Sequence, residues 1–158
     1  MDSLKQSART VQDALQARGL PSRVVELPAS TRTAREAADA IGCSVAQIAK
    51  SIVFKASESE RAVLVVASGV NRVNEAAVAV RLGEPIERAS PEFVREATGF
   101  AIGGVPPCGH ARPLVTFIDS DLLTLDVLWA AAGTPNAVFS IEPGQLVQLT
   151  EGEVLEIS

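Results

Sequence analysis

The chain has 158 residues, enough for one domain with a sizeable core, and 47% of them are hydrophobic against 21% charged. That balance is globular and excludes disorder, fibre and coiled coil. A formal net charge of -5 argues against a protein that coats nucleic acid by general electrostatics, because such binding needs many phosphate contacts from Lys and Arg.

Apolar runs such as Ala62 to Ala67 are far too short to span a bilayer, and Met1-Asp2-Ser3-Leu4-Lys5 lacks the basic-then-apolar character of a secretion signal. The expected location is cytoplasmic. Cys43 and Cys108 are then expected as free thiols.

From Ser3 to Arg18 the apolar positions Leu4, Ala8, Val11, Ala14 and Leu15 recur at helical spacing, and Gly19 with Pro21 ends the run. Val24 to Leu27 reads as a short strand stopped by Pro28. Thr33-Ala34-Arg35-Glu36 has the spacing of a capping box, in which the Thr and Glu side chains satisfy each other's backbone amides, and opens a helix through Ile41 that Gly42 closes. Ser44-Val45-Ala46-Gln47 repeats the spacing for a short helix leading to Lys50 and a strand over Ser51 to Ala56.

Arg61 to Ala67 is apolar at every second and every first position alike, as in a strand covered on both faces. It is expected to pair with the preceding strand across the polar turn Ser57-Glu58-Ser59-Glu60. Asn74 to Arg81 reads as a helix and Glu84 to Glu87 as an edge-like strand. Ser90-Pro91-Glu92 supplies an N-cap with Pro at the first helical position, opening a helix to Ala97. Further strands are expected over Leu114 to Ile118 and Ala137 to Ile141, with Leu122 to Ala131 between them less regular. Pro143 begins a final turn or short helix before Leu146 to Leu149. The alternation gives one mixed α/β domain over 1–158, without repeats or linkers.

Thr98 to His110 concentrates Gly99, Gly103, Gly104, Gly109, Pro106, Pro107 and the chain's one histidine. Glycine permits positive φ and close backbone approach, whereas proline fixes φ and removes an N–H donor. Such a loop is either a rigid reversal or a site that reads a ligand through its remaining amides.

Lys50, by period-two alternation, shares a face with Ile52 and Phe54, opposite Ser51, Val53 and Lys55. On an inward face its ammonium needs an anion, an oxygen-rich ligand or water; otherwise it snorkels past the sheet edge. Arg9, Arg18, Arg23, Arg32 and Arg35 suit individual phosphates or a solvated helix surface.

Other chemistries find little support. No Gly-Lys-Ser/Thr and no dinucleotide-binding glycine spacing occurs. Cys108, His110 and Cys43 fall short of a zinc set, and no Gly-x-Ser-x-Gly elbow is present. Asp119 and Asp121 read as caps of the following turn. Neither metal nor cofactor is expected.

Gly99 to Pro107 followed by Gly109-His110, with Lys50-Ser51 opening a strand upstream, resembles the YbaK/ProX family of aminoacyl-tRNA deacylases, relatives of the prolyl-tRNA synthetase editing domain. The resemblance extends to Leu27-Pro28-Ala29-Ser30-Thr31-Arg32-Thr33 and to Ala132-Gly133-Thr134-Pro135-Asn136. It implies a single domain on a curved mixed sheet flanked by helices, which hydrolyses the ester of a mischarged tRNA in trans.

The family's motif lysine falls on Lys50 and its substrate-lining loop on Gly103, Gly104, Val105 and Pro106. Ser51 takes the neighbouring polar position, and Gly133 and Thr134 are carried over as part of the opposite wall. On this basis Lys50, Gly103 and Gly104 are the expected catalytic positions, the glycines through oxyanion-stabilising amides. Ser51, Val105, Pro106, Gly109, His110, Gly133 and Thr134 are the expected substrate-binding ones. His110 either contacts ribose or a carbonyl, or bonds its neighbours' backbone.

The expected partner is an aminoacyl-tRNA acceptor end, with prolyl-tRNA synthetase a candidate and neither DNA nor membrane involved. The amino acid is expected to be small, such as Ala, Cys or Ser. The competing expectation is a module that holds aminoacyl-tRNA or a nucleotide without hydrolysing it.

Overall fold

The computed structural model describes residues 4–158. In chain order these form α1 (Gln6–Ala17), β1 (Val25–Glu26), α2 (Ala34–Ile41), a 3-10 turn (Val45–Gln47), β2 (Ile48–Ala56), β3 (Ala62–Ser68), α3 (Glu75–Leu82), β4 (Ile86–Arg88) and α4 (Pro91–Thr98). There follow β5 (Val115–Asp119), a second 3-10 turn (Ser120–Thr124), β6 (Leu128–Ala131), β7 (Ala137–Ile141), α5 (Pro143–Thr150) and β8 (Glu153–Leu155). Among these residues no helix is long and apolar enough to cross a membrane.

The strands make one mixed sheet in the order β1-β7-β6-β2-β3-β5-β8, with β4 also paired to β2. β2 and β3 run antiparallel through Lys50↔Ala67 and Phe54↔Val63. β3 is central and apolar on both faces, and its side chains divide between two cores. Leu64 and Val66 pack with Ala8, Val11 and Leu15 of α1 and Leu146 of α5. Val63, Val65 and Ala67 pack with Phe54, Val78 of α3 and Ile157. A smaller cluster joins Ala37 and Ala38 of α2 to Ile48, with Trp129 against it.

The local signals explain the helix ends. The Glu36 amide donates to Thr33 Oγ1 at 3.1 Å and the Thr33 amide to Glu36 Oε1 at 3.2 Å, while Gly42 ends α2 at φ 87°. The Ala77 amide donates to Asn74 Oδ1 and the Phe93 amide to Ser90 Oγ, the latter with Pro91 at the first helical position. The Asp121 amide donates to Asp119 Oδ1 at 3.0 Å, the expected cap.

Several boundaries differ from the sequence reading. The first helix begins at Gln6 rather than Ser3, and Ser3 lies outside the described residues. β2 begins at Ile48, because Ile48 and Ala49 pair in parallel with Trp129 and Ala130, a long-range contact that local pattern does not encode. Val53 and Phe54 point to opposite faces and are both buried, so β2 has no single inward face. Leu146 to Leu149 belongs to α5, which starts at Pro143. β8, parallel to β5, was not expected.

Candidate active site

β2 has two edges. β3 takes one along its whole length, so β6 and β4 share the other: β6 at Ile48 and Ala49, β4 at Phe54, Lys55 and Ala56. Between them Lys50 to Val53 has no strand partner on that side. The sheet is split there, and the split opens into a cavity of about 480 Å³. Lys50, Ser51, Gly103 and Val105 line it, together with Arg32 and Arg88.

Lys50 is half-buried, and among the described residues its ammonium makes no ion pair or hydrogen bond. Burial holds its pKa below the usual lysine range, Arg72 adds to that, and Asp119 acts in the opposite sense. Asp119 is engaged elsewhere, accepting from the Ser68 amide and from Asn71 Nδ2. Among the described residues, Arg32, Lys50 and Arg88 are the charged side chains on the wall, and no carboxylate joins them. A chain of net charge -5 therefore carries a cationic cleft, which favours an anionic or oxygen-rich ligand.

The glycine loop closes one side. Gly103 has φ 97°, and a Cβ there would lie 2.9 Å from Arg32 Cγ, so the Arg32 side chain lies directly over this backbone. The two adjacent glycines differ in function. The Gly104 amide donates to the Ala101 carbonyl at 3.1 Å and is committed to the turn. The amides of Gly103 and Val105 have no acceptor among the described residues. The free donors are thus those of Gly103 and Val105, in place of the expected Gly103 and Gly104 pair.

Gly133 and Thr134 support the loop from behind and do not line the cavity. The Gly133 amide donates to the Gly104 carbonyl at 2.9 Å, and a Cβ on Gly104 would come within 2.9 Å of the Thr134 amide nitrogen. This turn is in turn tied to the segment before α2: the Leu27 amide donates to the Asn136 carbonyl at 2.7 Å and the Thr31 amide to the Pro135 carbonyl at 2.6 Å. The two further segments to which the resemblance extends are therefore one hydrogen-bonded frame.

Pro106, Gly109 and His110 lie apart from the cavity. His110 Nε2 and the Pro106 carbonyl are 2.7 Å apart, and the imidazole meets the Phe100 ring edge-on at 6.5 Å. Since a carbonyl only accepts, the imidazole donates from Nε2. Burial pushes the His110 pKa down, partly offset by this bond. The side chain staples the loop, and with Gly109 and Cys108 it borders a separate cavity beside Arg18 and Glu151.

Burial raises the Cys108 thiol to about 12 and raises Cys43 as well, so neither is a ready thiolate. Among the described residues no group of three or more His, Cys, Asp or Glu converges to hold a metal ion.

Arg88 escaped the sequence reading, which had no local signal for it. Arg32 is, in sequence, one of five arginines that suit a phosphate or a solvated surface alike, although it stands in the segment preceding the Thr33 capping box.

Residues 28–149 match the aminoacyl-tRNA editing domain family. The uncharacterized protein YwhH of Bacillus subtilis (strain 168) is 31% identical over 131 residues, 83% of each chain. A crystal structure described as a candidate trans-editing enzyme for prolyl tRNA synthetase is 51% identical, covers 99% of both chains and superposes with a TM-score of 0.93. That of hypothetical protein APE2540 is 30% identical, covers 94% of this chain and 98% of its own, and gives 0.87. With most of its length matched, and with Lys50 and the glycine loop brought into one cationic cleft, the chain belongs to the aminoacyl-tRNA editing domain family and is an aminoacyl-tRNA deacylase.

Proposed function

We propose that the protein acts in trans in the cytoplasm to hydrolyse tRNA mischarged with a small amino acid, tRNA for proline or a related species, in the cleft between β2 and the glycine loop. The observation that carries this reading is Lys50, a half-buried cation without an ion pair among the described residues, in the same cavity as Gly103, whose amide has no acceptor among them.

Water attacks the ester carbonyl carbon and the carbonyl oxygen takes the negative charge; on collapse the C–O bond to the terminal ribose breaks, the ribose oxygen leaves with the proton given up by the attacking water, and the amino acid departs as a carboxylate. Each amide donor directed at such an oxyanion contributes about a hundredfold to a thousandfold in rate. The Gly103 amide, joined by that of Val105, is suited to the task. Lys50 holds substrate oxygen or phosphate. Among the described residues no carboxylate or imidazole lines the cavity, so the water is positioned by the loop and activated by the substrate's own ribose hydroxyl. Arg32 and Arg88, at the wall, suit phosphates of the single-stranded acceptor end.

A second sieve of this kind exists because a synthetase pocket distinguishes side chains differing by one methylene by only about ten- to two-hundredfold. Ile52, Val53, Val94, Val105 and Trp129 give the cavity wall apolar surface. The similarity to a candidate trans-editing enzyme for prolyl tRNA synthetase supports prolyl-tRNA synthetase as the upstream enzyme. A panel of labelled aminoacyl-tRNAs tests the reading: turnover of one or a few small residues on tRNA for proline is expected. Saturable binding without turnover across the panel would overturn it.

A further inference from the structure

The gap in the β2 edge has a defined chemistry. The Ile48 carbonyl accepts from the Gly69 amide at 2.8 Å and the Ala56 amide donates to the Arg61 carbonyl at 2.9 Å, both towards β3. The β2–β3 register runs without a bulge between these points. Even-numbered residues of β2 therefore turn their main-chain groups towards β3 and odd-numbered ones towards the opposite edge. On that edge Ala49 meets β6 and Lys55 meets β4.

Ser51 meets neither, and among the described residues its N–H and C=O have no partner. Its hydroxyl is unsatisfied as well: Ser51 Oγ is buried and makes no hydrogen bond. A strand residue in mid-sheet with amide, carbonyl and hydroxyl all unpaired, on the wall of the cavity, is an incomplete hydrogen-bonding site. A buried polar atom left unmet is unfavourable, so a ligand that meets these groups is favoured.

We propose that the aminoacyl group of the substrate docks on Ser51 as a one-residue antiparallel β-bridge, an inference that rests on the editing reading above. In a hydrogen-bonded antiparallel pair the two residues exchange both N–H···O bonds. The substrate's α-ammonium donates to the Ser51 carbonyl, and its ester carbonyl accepts from the Ser51 amide. That bond polarises the carbon attacked by water and adds a main-chain oxyanion donor. Paired residues place their side chains on the same face, with Cβ atoms about 4.5–5.5 Å apart. The amino-acid side chain consequently lies beside Ser51 Oγ, which selects a small side chain bearing a hydroxyl.

Hydrogen exchange of the free ¹⁵N-labelled protein tests the geometry independently of any activity. The Ser51 amide should exchange at least about a hundredfold faster than those of Lys50 and Ile52, which face β3. Equal protection of the three overturns the proposal.

Two kinetic arms test the docking. A 2-hydroxyacyl-tRNA, in which a hydroxyl replaces the α-ammonium, should be hydrolysed about ten- to a hundredfold less efficiently than the matching aminoacyl-tRNA, the usual effect of losing a charged hydrogen bond. Ser51→Ala keeps the main-chain bridge and should lower the seryl-over-alanyl preference in kcat/KM about tenfold. Equal hydrolysis of the two acyl forms, or an unchanged preference in a folded Ser51→Ala protein, overturns the proposal while leaving editing intact. Absence of turnover of every aminoacyl-tRNA by the parent protein overturns the editing reading and, with it, this inference.

Discussion

Gly104→Ala tests whether the loop is fixed by backbone contact behind the cavity. The added Cβ would lie 2.9 Å from the Thr134 nitrogen and 3.0 Å from the carbonyl carbons of Gly133 and Thr134. These are main-chain atoms, held by the Gly133 amide to Gly104 carbonyl bond and by the Thr31 and Leu27 bonds to the same turn. No side-chain rotation relieves the overlap. Overpacking of this sort costs about 1–3 kcal/mol. In a domain of 150–250 residues each kcal/mol moves Tm by about 2–4 °C, so a fall of about 2–12 °C is expected. Displacement of the neighbouring Gly103 amide should lower kcat/KM by about tenfold or more, because oxyanion donors act over narrow distances.

Circular dichroism melting and single-turnover deacylation measure both. Gly144→Ala is the control: nothing lies within 4 Å of a Cβ there, so Tm should hold or rise slightly. A Gly104→Ala protein with the parental Tm and activity would refute the reasoning.

His110→Ala should lower Tm at neutral pH by a few degrees, through loss of a bond of about 0.5–1.5 kcal/mol and some packing. Burial holds the folded-state pKa of His110 below its unfolded value. Its contribution is therefore complete above about pH 6.5 and is lost as pH falls below that towards the folded pKa. The variant's Tm should decline less steeply over that acidic range, with the shape of the kcat–pH profile unchanged; an altered profile would give His110 a part in the chemistry. Cys108, buried and with its thiol near 12, should resist alkylation in the folded protein, and the half-buried Cys43 should react first. Peptide mapping by mass spectrometry measures the order, and Cys108→Ala should retain full deacylation.

The parts of the fold legible in the sequence are those whose causes are local. Thr33 and Glu36, Ser44 and Gln47, Asn74, and Ser90 with Pro91 mark helix starts because each satisfies amides within three residues of itself. The covered β3 was legible because it is apolar at both parities. Leu146 to Leu149 has no decisive periodicity, since three apolar residues around Gln148 fit a strand or a helical turn alike. It is the Glu142 and Gln145 capping box with Pro143 that settles the helix.

At the site, Lys50 and the glycine loop stood out by residue type. Arg88 did not, because it becomes part of the wall only where β4 joins β2 after β6 has left, and that gap is a property of the sheet. The commitment of the Gly104 amide to Ala101 depends on loop geometry that composition does not encode.

Lys50→Met removes the charge and keeps most of the stem. Because the half-buried ammonium has no ion pair among the described residues and burial disfavours its charged form, the substitution should leave Tm equal to or above that of the parent. Loss of its hold on the substrate should reduce kcat/KM for the edited aminoacyl-tRNA by about a hundredfold or more. A folded Lys50→Met protein that deacylates at the parental rate would contradict the assignment of this cleft as the editing site.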